Sequence, residues 1–241
     1  MRAVIAGSGA AIPPRQVTNA MLARIMDTSD AWIRERSGVE SRHYVEPGTA
    51  TSDLGAQAAR QALESAGLSA REVDLVVFAT MTPDHFFPGA GGLLQAKMGI
   101  RDVPCFDIRQ QCVGFLYGLQ LVDAHIRSGL ARTALLVGAE VHTGFMPWTQ
   151  WDYLFGRGGE PPTEEQKALY SRFRDRTVLF GDAGGACVLR ALPGERGVLG
   201  FKVHSDGHGF EAPAAVGLAE ADGRAPPRLP HIIQHENAAG G

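Results

Sequence analysis

The chain has 241 residues, 44% of them hydrophobic and 20% charged, with a formal net charge of -3. This is the composition of a folded globular protein with apolar material for one large core or two modest ones, and it excludes the disordered and coiled-coil classes. The mild acidic balance and the scattered basic residues give no electrostatic basis for nucleic-acid binding.

In chain order, the first apolar run is Ala3–Ala6, a strand pattern. The stretch from Met1 to Ala11 has no charged region followed by a long apolar run, so no secretory leader is expected. No apolar run in the chain reaches the length of a membrane span, and a soluble protein without membrane association is the expectation. A helical pattern runs from Ser52 to Ala66 and stops at Gly67; a strand pattern, Leu75–Ala79, follows. Gly91–Met98, stopped by Gly99, reads as a second helix, and Val103–Ile108 as a strand. A third helix is predicted from Cys112 to Ser128, stopped by Gly129, and then the strand Ala134–Gly138. Glycine ends each helical pattern because it accepts the left-handed conformation there. Apolar residues cover most of the circumference between Val113 and Ile126, so this helix is expected to be buried between layers.

From Trp148 to Arg176 the texture changes. Gly156, Gly158, Gly159, Pro161 and Pro162 precede a charged stretch, which reads as an inserted loop (about 148–173) carrying a short helix capped by Thr163. Beyond it come a turn at Gly181–Gly185 and strands at Ala186–Leu189 and Gly197–His204. Gly181–Gly185 lacks the lysine and the strand-to-helix setting of a phosphate loop. From Gly207 onward no periodicity remains, and a loop or tail is expected. Strands alternating with helices imply an α/β layered fold with a largely parallel sheet.

Three cysteines, Cys105, Cys112 and Cys187, form no C-x-x-C pair, and their odd number favours reduced thiols and a cytoplasmic location. Cys105 and Cys187 sit within strand patterns and read as small core residues. Cys112 stands where Arg109–Gln111 turns a strand into the apolar helix. A thiol at a helix N-terminus faces unpaired N–H groups and the positive end of the helix dipole, which favour thiolate. The next backbone N–H can also face an oxyanion formed at a carbon bonded to that sulfur.

Six ordered segments then carry a resemblance: Thr28–Ile33, Arg36–Val39, Phe87–Pro88, Asp107–Phe115, Phe180–Ala186 and His204–Gly207. Together they resemble the β-ketoacyl-acyl carrier protein synthase III family over nearly all of residues 1–209. The resemblance implies a thiolase-like layered αβαβα fold, with a complete first half over 1–191 and a second half begun at 196–241. A faint echo between Arg2–Gly7 and Arg196–Phe201 agrees, both being the first strand of a half. The implied activity is transfer of an acyl group from acyl-CoA to Cys112, then decarboxylative Claisen condensation with malonyl-acyl carrier protein. Trp32 and Arg36 would hold the CoA adenine and Arg174 would supply a second CoA arginine. Phe87 would border the partner's acyl pocket across a homodimer. CoA thioesters are then substrates, with no separate cofactor and no metal. The family's catalytic His and Asn are expected past residue 241. His204, His208, His231 and His235 do not stand in that context, and His235–Asn237 has the residue types at the wrong spacing. The alternatives are a related acyltransferase with another acceptor, or an inactive fragment or partner subunit. Without the resemblance, Trp32 reads as a surface anchor and Phe87 as a core aromatic.

Overall fold

The computed structural model describes residues 1–206. Its first half contains β1 (Arg2–Ala11), β2 (Arg15–Thr18), α1 (Asn19–Leu22), α2 (Asp30–Ser37), β3 (Ser41–Tyr44), α3 (Thr51–Ala66), β4 (Leu75–Ala79) and α4 (Gly91–Met98). There follow β5 (Cys105–Ile108), α5 (Gly114–Arg127), β6 (Thr133–Glu140), α6 (Trp151–Leu154), α7 (Glu164–Arg172), α8 (Arg174–Thr177) and β7 (Ala183–Leu192). The glycine stops behave as expected: Gly67, Gly99 and Gly129 all have positive φ.

Five strands form one sheet in the order β1-β7-β6-β4-β5, and β2 and β3 make a separate ribbon. β4 runs parallel to β5 and β6, while β7 is antiparallel to both β6 and β1. The layered α/β reading holds, but the sheet is mixed. The connections β4-α4-β5 and β5-α5-β6 are helical crossovers of the kind parallel strands require, while β6 runs directly on to an antiparallel β7.

All five residues of β4 are buried, because helices cover both faces of the sheet there. Val76 and Phe78 enter the core under α3, and Leu75 and Val77 enter the core under α5. That is the two-residue alternation of a strand. α3 lies unusually close to the sheet: a Cβ on Gly9 would stand 2.3 Å from the Ala58 carbonyl oxygen, and one on Gly7 2.4 Å from that of Ala62.

α5 departs from expectation. Gly114, Gly118, Val122, Asp123 and Ile126 are buried against the sheet, but Val113, Phe115 and Leu116 are exposed, Leu116 by 50%. The described residues cover only its sheet side. The first turn is also 3₁₀ (Gln111–Val113), so Cys112 precedes the α-helix.

The 148–173 stretch carries the expected loop and short helix, but its aromatics are packed into the molecule. Trp148, Leu154 and Tyr170 are buried with Val17, Leu22, Ile25, Met26, Ile33 and Tyr44 in a second core, which the large aromatics of this stretch fill. The Thr163 cap is present: its hydroxyl accepts from the Gln166 N–H at 3.2 Å, and Gln166 accepts from the Thr163 N–H at 2.9 Å. β7 starts at Ala183, earlier than read, and so takes in Gly184 and Gly185.

Gly197–His204 is not a strand. It follows α5 instead, with the Val198 N–H on the Ala3 carbonyl at 2.9 Å, Arg127 donating to the Val198 carbonyl and the Tyr117 hydroxyl to that of His204. Gly197, at φ 122°, already departs from sheet geometry immediately before the Val198 bond to Ala3. His208, His231, His235 and Asn237 lie outside the described residues, as does most of the 196–241 segment.

Candidate active site

The parallel strands β4, β5 and β6 end on the same side of the sheet, at Ala79, Ile108 and Glu140. Cys112 stands in the turn that leaves β5 there and is exposed. Gln111 beside it has φ +46°, a left-handed backbone uncommon outside glycine. Glycines bring the following helix down onto the sheet. A Cβ at Gly114 would lie 3.1 Å from that of Ala79, and one at Gly118 2.5 Å from a methyl of Leu136.

The Val113 N–H, expected to face an oxyanion, instead donates to the Gln110 carbonyl at 3.1 Å. The tight turn that lifts Cys112 out of the helix closes this bond. The other two thiols are half-buried, and burial pushes Cys105 up to about 12 and Cys187 upward.

The loops around Cys112 are tied together by carboxylates. Glu140, at the end of β6, accepts from the Met81 N–H at 2.7 Å, the Thr82 hydroxyl at 2.6 Å and the Thr80 hydroxyl at 3.2 Å. The Thr82 hydroxyl accepts in turn from the Val141 N–H at 2.9 Å, and Thr51 donates to the Thr82 carbonyl. Ser52, at the start of α3, donates its N–H to Asp84 at 2.8 Å. Asp107 accepts from the N–H groups of Ala90 at 2.8 Å and Gly91 at 3.0 Å, holding the start of α4.

Asp182 accepts from the Val45 N–H at 2.8 Å, the Thr143 N–H at 3.0 Å and the Thr143 hydroxyl at 2.9 Å. Burial pushes its carboxyl above the ordinary range against the pull of these donors. The glycines around it serve close approach. A Cβ on Gly181 would lie 2.9 Å from that of Arg42, and one on Gly184 2.7 Å from the Leu54 carbonyl oxygen. His142 stacks on Phe180 with ring centroids 4.5 Å apart.

Three residues proposed for a nucleotide meet in space. Trp32 and Arg36 lie one turn apart on α2, whose Ser29 cap accepts from the Trp32 N–H at 3.1 Å. Arg174, at the start of α8, comes from a distant part of the chain. The guanidinium of Arg36 and that of Arg174 each lie 4.5 Å from the centre of the Trp32 ring. Arg174 also donates to the Asp27 carbonyl, with the Asp27 carboxylate 3.6 Å away. α2 is held from below by Asn19, which donates to Asp30 and to the Val39 carbonyl, both at 2.8 Å.

Phe87 is 92% exposed, so the core-aromatic reading fails. It sits on the loop after β4, where its neighbour Phe86 lies under the Arg109 guanidinium at 5.4 Å. Sequence reasoning missed Glu140, Thr80 and Thr82. The available signal was polar residues directly after two apolar strand runs, Thr80–Thr82 after β4 and Glu140 at the end of β6. Among the described residues, no group of three or more His, Cys, Asp or Glu side chains is placed to hold a metal ion. Nor is any helix among them long and apolar enough to cross a membrane.

The mixed sheet sandwiched between α3 and α5, with a cysteine on the turn into α5, belongs to the thiolase-like fold that the solved structures share. Solved structures agree: 3-oxoacyl-(acyl carrier protein) synthase III of Pseudomonas aeruginosa is 38% identical with a TM-score of 0.70, covering 88% of this chain and 59% of that one. The priming β-ketosynthase of the R1128 polyketide pathway is 30% identical with a TM-score of 0.65, covering 80% and 52%. The sequence model of 3-oxoacyl-[acyl-carrier-protein] synthase III matches residues 106–160. β-Ketoacyl-[acyl-carrier-protein] synthase III of Rhodospirillum rubrum is 46% identical over 212 residues, 86% of this chain and 58% of that protein. The chain belongs to the synthase III family. It spans less than two thirds of the length of these relatives.

Proposed function

We propose that this chain carries the acyl-accepting half of a 3-oxoacyl-[acyl-carrier-protein] synthase III, with Cys112 as nucleophile. The Cys112 thiolate attacks the thioester carbonyl of acyl-CoA, and the CoA thiolate leaves as the acyl-cysteine forms. A malonyl-carrier protein then loses carbon dioxide, and its carbanion attacks the acyl-cysteine carbonyl to give the β-ketoacyl product and the free thiol. Two feasible steps thus replace one difficult carbon–carbon bond formation. The family's His and Asn would serve the second step.

The observation that carries this reading is the convergence of Arg36 and Arg174 on the two-ring face of Trp32. An indole with two guanidinium groups beside it suits a purine base with adjoining phosphates, which is the nucleotide end of CoA. The exposed Phe87 and the edge strand β5, with Phe106 exposed, support a homodimer in which Phe87 borders the partner's acyl pocket. A cytoplasmic setting fits three free thiols.

The test is intact-mass measurement of the protein after incubation with acyl-CoAs of graded length, followed by peptide mapping. The expected result is one acyl adduct on Cys112, absent from Cys112→Ala. An adduct on Cys105 or Cys187, or none with any acyl-CoA, contradicts the assignment.

A further inference from the structure

We infer that Glu140 is a positioning residue of the acylation site, holding the Thr80–Thr82 wall beside Cys112 and thereby selecting which acyl chains reach the sulfur. The inference rests on the proposed acylation of Cys112. It starts from strand register. Ala79 of β4 pairs with Gly138 of β6 and with Ile108 of β5, so Thr80–Thr82 leaves the sheet between Glu140 and the strand that leads to Cys112. Ala79, one residue earlier, is what Gly114 packs on. The wall therefore begins one residue beyond the contact on which the helix after Cys112 packs.

One carboxylate gathers three donors of that wall, and each is used in a fixed direction. The Met81 N–H occupies one oxygen, and the hydroxyls of Thr80 and Thr82 share the other. Because Thr82 donates to Glu140, its lone pairs are left for the Val141 N–H at 2.9 Å. Thr80 likewise donates to Glu140 and accepts from the Thr82 N–H at 3.0 Å. No cation is needed: a carboxylate accepting several donors is already stabilised. Further along, Thr51 and Ser52 fix the Thr82 carbonyl and Asp84. The exposed tip from His85 to Pro88 then follows, so the bracket also sets where Phe86 and Phe87 are presented. A glutamine at 140 offers one acceptor oxygen, and its amide would confront either the Met81 N–H or two hydroxyls with another donor.

The test compares Glu140→Gln, Thr82→Val and Thr82→Ser with the unaltered protein. Rates of Cys112 acylation are measured with acetyl-, butyryl-, hexanoyl- and octanoyl-CoA, and with iodoacetamide as a small reagent that needs no acyl wall. Displacements of about 1 Å near reacting atoms cost up to about 10²-fold in rate, so Glu140→Gln is expected to change the octanoyl-to-acetyl ratio by about tenfold. Iodoacetamide labelling should stay within about twofold. Thr82→Val should share the altered ratio, and Thr82→Ser, which keeps the hydroxyl, should retain the original one. A uniform slowing with every reagent, or an unchanged ratio, overturns the inference. Hydrogen exchange separates this from failure of the acylation reading. The Met81 and Val141 amides should exchange slowly in the unaltered protein and faster in Glu140→Gln. Fast exchange at both in the unaltered protein disproves the bracket itself. Absence of acylation by any acyl-CoA disproves the reading on which the selection rests.

Discussion

Replacing Trp32 by Leu keeps apolar bulk against the second core while removing the aromatic ring that Arg36 and Arg174 contact. A base stacked on an aromatic side chain contributes about 1–3 kcal/mol. Here that gain is partly offset where the base displaces a guanidinium from the indole, since both Arg36 and Arg174 already contact the ring. An exposed cation–π contact is worth about 0.5–1 kcal/mol. The net contribution is therefore up to about 2.5 kcal/mol, with a middle value of about 1.25 kcal/mol, which corresponds to a loss of about 8-fold in affinity and at most about 70-fold. Calorimetric titration with adenosine 3′,5′-bisphosphate, the nucleotide end of CoA, measures it without involving Cys112. In acylation assays the concentration of acyl-CoA for half-maximal rate should rise by the same factor, with the maximal rate retained. Iodoacetamide should label Cys112 as before. Unchanged affinity in Trp32→Leu, or a loss that appears equally in iodoacetamide labelling, would show that the indole supports the fold and not a nucleotide.

Three further predictions follow from the packing and the charges. Iodoacetamide at pH 8 should modify Cys112 well before Cys105, whose thiol burial pushes up to about 12, and before Cys187; peptide mapping of a time course reads the order. Gly184→Ala places a Cβ 2.7 Å from the backbone oxygen of Leu54, which cannot swing aside, and should destabilise by about 1–3 kcal/mol in urea unfolding. Gly185→Ala meets nothing within 4 Å and should stay within about 0.5 kcal/mol, so equal effects of the two contradict the packing. For Asp53, burial raises the pKa, but Lys97 and the Ala50 N–H together lower it further. Its folded value thus lies below its unfolded one, so its stabilisation is complete above the ordinary carboxylate range and is lost as pH falls through the lowered value. Urea midpoints of Asp53→Asn should lie below those of the unaltered protein at pH 7 and meet them at strongly acid pH.

Local features were readable where a short stretch of chain decides its own conformation. Gly67, Gly99 and Gly129 marked helix ends because only the local backbone has to turn left-handed there. Gly91–Met98 came out at its observed bounds, and the Thr163 cap is a contact within one turn. Trp32 and Arg36 share a face of α2 because they are four residues apart. Errors arose where neighbours distant in sequence intervene. The apolar circumference of α5 suggested burial all round, yet the sheet covers only one side of it among the described residues. The Gly- and Pro-rich stretch after Trp148 suggested a loop, yet its aromatics close a second core with residues from the start of the chain.

The sequence by itself determined the alternation of strands and helices and the placing of Cys112 where a strand gives way to a helix, since each depends on residues within a few positions of one another. Only the tertiary structure decided that Arg174 reaches the Trp32 ring and that Glu140 gathers Thr80, Met81 and Thr82. Both depend on strand order and register, which place β6 beside β4 and bring α8 back over α2. Register is set by which side chains fill the space between α3, the sheet and α5, a condition on the whole core that no local run of residues records.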